Sequence, residues 1–96
     1  MEQLRVIVVI DARLDLLEIR DYIAQDKPAA ANALMARFGT AFALIAAFPN
    51  MGRRSKRKPR LRRHVVRGYI VYYEAHPKLG FVKIMRILHG RRKLRL

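Results

Sequence analysis

The segment RRSKRKPRLRRHVVRGYIVYY, residues 53–73, sets nine Arg and Lys directly against the sheet-forming run Tyr69, Ile70, Val71, Tyr72, Tyr73 and contains no acidic residue. Residues of these types do one kind of chemistry: they hold or stabilise negative charge on phosphate or carboxylate, with Tyr or His available to move protons. Other routes are poorly served. His64, His76 and His89 lie far apart in a chain without cysteine, which matches no local metal-ligand spacing, so neither metal nor cofactor is expected. Ser55 is the only serine and Thr40 the only threonine, and Glu74 is the only acid after Asp26, so neither a nucleophile with a fixed base nor a carboxylate pair is at hand. A metal-free ribonuclease could draw on Arg62, Arg63, Lys83, Arg86 and His89, and if the chain is such an enzyme Arg62, Lys83, Arg86 and His89 are its catalytic candidates. Arg and Lys on strand faces more often bind phosphate or carboxylate without catalysing anything, so no catalytic residue is assigned. On that reading Arg53, Arg54, Lys56, Arg57, Lys58, Arg60, Arg62 and Arg63 form a nucleic-acid or anion-binding set. Tyr69, Tyr72 and Tyr73, at strand spacing, are more often core or interface residues than platforms for bases.

Hydropathy patterning indicates the scaffold that must position these side chains. Residues 4–10, LRVIVVI, are apolar on both alternating faces, which predicts a strand inside a sheet. Asp11 is placed to cap a helix in which Ala12, Leu16, Ile19 and Ile23 recur at helical spacing, with Asp15, Glu18 and Asp21 pointing elsewhere. Lys27 precedes Pro28, so the first helix should stop near Gln25 and a second begin with Pro28 in its first turn. That second helix carries Leu34, Phe38, Ala41, Ile45 and Phe48 on one stripe and ends at Pro49. PNMGRRSKRKP reads as an exposed loop, and strands are predicted over 61–67, 69–75 and 81–88. The order β-α-α-β-β-β describes an α+β fold: a helical hairpin packed on one face of a roughly four-stranded, mainly antiparallel sheet. Two helices cover only one face, yet the strand at 69–73 is apolar on both. The other face is expected to await a partner, with Tyr69, Val71, Tyr73 and Phe81 as contacts.

Ninety-six residues predict one domain, 1–96, with a single modest core. The absence of cysteine fits a reducing cytoplasm, the apolar runs look too short to span a bilayer, and MEQLRVIVVIDAR lacks the pattern of a signal peptide. The net charge of +14 is unevenly placed: five of seven acids lie between residues 11 and 26, whereas sixteen of 21 basic residues follow residue 50. Such asymmetry predicts an anionic partner, either nucleic acid or an acidic protein segment.

Several stretches together resemble the ParE branch of the RelE/ParE toxins of bacterial toxin–antitoxin modules. They are Ala12, Asp15-Leu16, Glu18-Ile19 and Tyr22-Ile23-Ala24; Pro28 with Ala30 and Ala31; Phe48-Pro49-x-Met51-Gly52-Arg53; Leu61-Arg62; Val65-Val66-x-x-Tyr69-x-Val71-Tyr72-Tyr73; and Ile84-x-Arg86-Ile87-Leu88-His89-Gly90-x-Arg92. The match runs in order over nearly the whole chain. The resemblance implies a β-α-α-β-β-β toxin neutralised by an acidic, ParD-like antitoxin whose N-terminal ribbon-helix-helix part dimerises, giving a hetero-oligomer. It also implies DNA gyrase as target, with Arg86, His89, Arg91 and Arg92 of the terminal motif as target contacts. RelE-like members instead cut ribosome-bound mRNA, typically with a tyrosine near the C-terminus, and here no Phe, Tyr or Trp follows Phe81. The basic segment 53–63 exceeds what the ParE pattern leads one to expect, which keeps direct nucleic-acid contact open.

Overall fold

Strand β1 (Arg5–Val8) is cut short by the helix that follows it. In the computed structural model, which describes residues 3–92 and 94, α1 (Ile10–Ala24) begins two residues after Val8. Its N-cap is Val9, with no side-chain cap, rather than Asp11. Asp11 lies inside the first turn, where its charge favours the positive end of the helix dipole. Helix α2 (Pro28–Ala47) starts with Pro28 as expected, because its fixed φ and missing N–H suit the first turn. By length and composition α2 could cross a membrane, contrary to the expectation from run length, although Ala31, Leu34, Phe38, Ala41 and Ile45 on one face are buried within this fold.

Four further strands follow: β2 (Arg53–Arg54), β3 (Arg62–Val66), β4 (Tyr69–His76) and β5 (Phe81–His89). The sheet is five-stranded in the order β1-β5-β4-β3-β2, with β1 parallel to β5 and the other pairs antiparallel. The additional strand comes from the segment expected to be loop: Arg53 pairs with Arg63 and Arg54 with Arg62, and Ser55 N–H donates to the Leu61 carbonyl at 2.8 Å. The β3–β4 hairpin turns on Arg67 and Gly68, both with positive φ (51° and 84°), the geometry whose twist matches two flanking strands.

Strand β4 alternates cleanly. Tyr69, Val71, Tyr73 and Ala75 face the helices, packing with Ala12, Phe38, Ile45, Val82, Ile84 and Ile87, while Ile70 and Tyr72 face the other way with Leu88. In β5 the register passes from Tyr73↔Ile84 to Tyr72↔Arg86, leaving Met85 as a bulged residue and shifting the helix-facing positions from Val82 and Ile84 to Ile87. The second face is not bare: Ile70, Tyr72 and Leu88 are buried, and Leu94 from the C-terminal segment packs on them.

Candidate functional site

The turn at 48–53 is fastened to the sheet by one phenol. Tyr73, 0% exposed, accepts from Gly52 N–H (2.9 Å) and donates to the Pro49 carbonyl (2.9 Å). A Cβ on Gly52 would lie 2.6 Å from that hydroxyl and 2.7 Å from the Arg63 carbonyl, so only glycine lets the turn approach. Arg62 Nη1 donates to the Gly52 carbonyl at 2.8 Å and braces the same turn. The Pro49-x-Met51-Gly52 sequence thus aims the following Arg53 and Arg54 along β3. Burial raises the Tyr73 phenol above its ordinary value of 10.0, against the smaller opposing effects of the Gly52 hydrogen bond and the Arg62 charge. The unfolded chain therefore ionises first, and the stability this group contributes is complete below 10.0 and is lost as pH climbs through the higher folded value. Tyr73→Phe should cost about 1–3 kcal/mol near neutrality by stranding the turn's donor and acceptor. It should also flatten the fall in stability above pH 10.0, read by urea unfolding across pH. An equally steep alkaline loss in the variant would assign that loss to other groups.

Asp15 does not point to solvent. It is buried, and Arg86 Nε and Nη2 donate to its Oδ2 and Oδ1 at 2.8 and 2.9 Å. The backbone N–H of Ile87 also donates to Oδ2 at 2.9 Å. The cause is topological: β1 pairs with β5 only as far as Val8↔Ile84, and beyond it a carboxylate from α1 takes the place of a neighbouring strand. The hydrogen bond to Asp15 outweighs burial and holds the Arg86 guanidinium still further above its ordinary value.

The cations gather on the face away from the helices. Arg53, Arg54, Lys56, Arg57, Arg63 and Arg92 surround a cleft of about 630 Å³ together with Ser55, Tyr72 and Leu94. Local contacts tie the basic segment down: Ser55 is buried, Lys58 N–H reaches Ser55 Oγ at 3.4 Å, and Arg54 Nη1 donates to the Pro59 carbonyl at 2.9 Å. Lys58 and Arg60 do not line the cleft; Arg60 Nε instead meets Glu74 Oε2 at 3.3 Å. Glu74 also bonds His76 Nε2, and the His76 ring lies 4.9 Å from that of Phe81.

The expected sites are accordingly redistributed. Val71 and Tyr73 are fully buried under the helices and offer no side chain to a partner, because the β4 alternation turns both inward; Tyr69 and Phe81 remain partly exposed. Arg62 and Arg86 spend their guanidinium groups on the turn and on Asp15, so the grouping Arg62, Lys83, Arg86 and His89 is not brought together as one set. His89 sits across the ring of Tyr69, at 5.6 Å, and Lys83 lies over Phe81 at 5.9 Å. The Asp15–Arg86 and Glu74–His76 pairings are not predicted by the sequence, in which Asp15 is expected to point away from the apolar stripe and His76 is weighed only as a metal ligand. For Asp15 a signal exists, since it lies three residues from Ala12 and four from Ile19 and so shares their stripe. Among the described residues no group of three or more His, Asp or Glu is placed to hold a metal ion.

A helical hairpin on a mixed five-stranded sheet, with a cationic cleft on the far face, defines a small basic α+β domain of RelE/ParE architecture. The family model described as ParE toxin of type II toxin-antitoxin system, parDE, matches residues 6–94, and the chain belongs to that family of toxins. It is 40% identical over 82 residues, 84% of this chain and 89% of the relative, to Toxin RelE2 of Caulobacter vibrioides (strain ATCC 19089 / CIP 103742 / CB 15). In fold it is similar to a solved structure described as the chromosomal ParDE TA system from P. aeruginosa, with TM-score 0.76 and 16% identity over 91% of this chain and 96% of that one.

Proposed function

We propose that this toxin acts by binding, inhibiting DNA gyrase, and that an acidic antitoxin made beside it neutralises it in the cytoplasm. The observation that carries the binding reading is the Asp15–Arg86 pair: the arginine at the centre of the terminal motif is committed to the fold and is not free to stabilise charge on a phosphate being cleaved. ParE membership supports gyrase as the target. The antitoxin's apolar stripe has places to dock on the outer side of α1, at Ile10, Leu14 and Leu17, and beside the turn at Leu44, Phe48 and Met51, all exposed. Basic residues at the rim would steer its acidic groups. Of the four contacts expected from the sequence, only Tyr69 and Phe81 keep exposed edges that a partner could reach.

One observation favours ribosome-dependent mRNA cleavage as a second reading: Glu74 and His76 form a hydrogen-bonded pair beside Arg60, a grouping able to move a proton. The relative's name, Toxin RelE2, points the same way. Supercoiling and translation-dependent cleavage assays on one preparation separate the two. Arg91 and Arg92 are exposed, so converting both to Ala should keep the fold while cutting gyrase inhibition at least ten-fold. Specific mRNA cuts that vanish in His76→Ala, with supercoiling untouched, would replace gyrase inhibition with ribonuclease activity.

A further inference from the structure

Arg92 borders two cavities. One is the cationic cleft; the other, a half-open hollow of about 180 Å³, is lined by Asp15, Glu18, Ile19, Tyr22, Tyr69, Ile87, His89 and Arg92 between α1 and the end of β5. The second cavity lies below the roughly 300–1,000 Å³ of whole-ligand pockets, so it suits one ring of a larger molecule. Its walls are unlike the cleft's. Tyr22 is 75% exposed, Tyr69 meets His89 edge to face, and Asp15 is already neutralised by Arg86. Glu18 is exposed and has no ion-pair partner among the described residues. With Asp15 paired to Arg86, Glu18 and Arg92 leave this lining close to neutral, without the excess of cations that marks the cleft, whereas a flat group with hydrogen-bond donors on its edge would find aromatic rings and a carboxylate with no ion-pair partner among the described residues.

We infer that the cleft and this cavity together bind single-stranded nucleic acid, with phosphates along the cations and one base turned past Arg92 into the cavity, and with guanine preferred there. The cleft holds the backbone without reading sequence, and an unpaired base is recognised by stacking on Tyr and His and by hydrogen bonds to its edge. Guanine presents two adjacent donors, N1–H and N2–H, to a carboxylate; adenine and cytosine present an amino donor beside an acceptor, and thymine a single N–H between two carbonyls. A paired guanine has both of these donors engaged by its partner base. The inference deepens the nucleic-acid contact implicit in a gyrase–DNA target but is tested without gyrase, so either can fail alone.

Fluorescence anisotropy of labelled 12-nucleotide probes with the full chain supplies the test. Oligothymidine with one central guanine should bind roughly ten-fold more tightly than oligothymidine alone, the scale of one good bidentate base contact. Hypoxanthine in that place, lacking the N2 amino group, should forfeit most of the gain. Glu18→Ala should abolish the guanine preference while leaving oligothymidine binding intact, and Tyr22→Ala should weaken all single strands but not duplex. Both side chains are exposed, so the variants keep their fold. Equal affinity for the two probes, or a guanine preference surviving Glu18→Ala, would overturn the base pocket. Protection of Tyr22 and Glu18 by an acidic antitoxin peptide, with no response to any oligonucleotide, would make the cavity a peptide contact and equally overturn it.

Discussion

Asp15→Ala is expected to cost about 3–5 kcal/mol, because it leaves the largely buried Arg86 guanidinium without its counter-charge and the Ile87 N–H without an acceptor. A domain of this size has only about 5–15 kcal/mol in total, so the variant sits near its unfolding threshold. Asp15→Asn should lose less, since the amide oxygen still accepts from Ile87 although the charge is gone. The double variant Asp15→Leu, Arg86→Met should be closer to the parent than the sum of its single changes, since removing both charges strands neither. Urea unfolding of the parent, Asp15→Leu, Arg86→Met and the double variant forms a double-mutant cycle that measures the coupling. Singles that add within about 0.5 kcal/mol would show that the two side chains contribute independently and that the edge of β5 is held by something else. A growth assay alone would mislead here: loss of toxicity in an Arg86 variant counts as loss of target contact only if the protein is shown to be folded.

The same pair marks how far the sequence could be read. Element order apart from β2, the helix break before Pro28 and the strand–turn–strand around Gly68 follow from local rules about proline, glycine and periodicity, and these stand in the structure. Local rules do not reach a residue whose environment is made by something distant in the chain. Asp15 looks like a surface acid until β1 stops short and exposes an edge 71 residues later in the chain. Tyr73 looks like an interface residue because β4 is apolar on both faces; only the turn at Pro49–Gly52, brought back across the sheet, accounts for its hydroxyl. The bulge at Met85 moves the helix-facing positions of β5 from Val82 and Ile84 to Ile87, a shift that strict alternation does not anticipate. Strand β2 has no local signal, because two arginines carry no strand preference of their own; the antiparallel register with Arg62 and Arg63 creates it. The basic set was legible as a set, but its division into cleft, turn brace and Glu74 partner was not.

That division supports a quantitative expectation for the cleft. If its six cations each neutralise one phosphate, log K for duplex DNA should fall by about 5 for each tenfold rise in salt, and by about 4 for single strands. Between 50 and 200 mM salt the duplex affinity would then drop about a thousand-fold. Arg53, Lys56 and Arg57 are exposed and make no side-chain hydrogen bond or ion pair among the described residues, so changing all three to Gln should shift stability by no more than about 0.5 kcal/mol. Arg54 is left in place because it holds the Pro59 carbonyl. The triple variant should keep three of the six contacts, and its salt slope should be about half that of the parent. Lys58→Gln, outside the cleft lining, is the matched control and should leave the slope nearly unchanged. Anisotropy titrations at four or more salt concentrations provide the slopes. Equal slopes for parent and triple variant would place the bound phosphates elsewhere on this strongly cationic surface. A slope reduced as much by Lys58→Gln as by one cleft residue would show that net charge, rather than the cleft, sets the affinity.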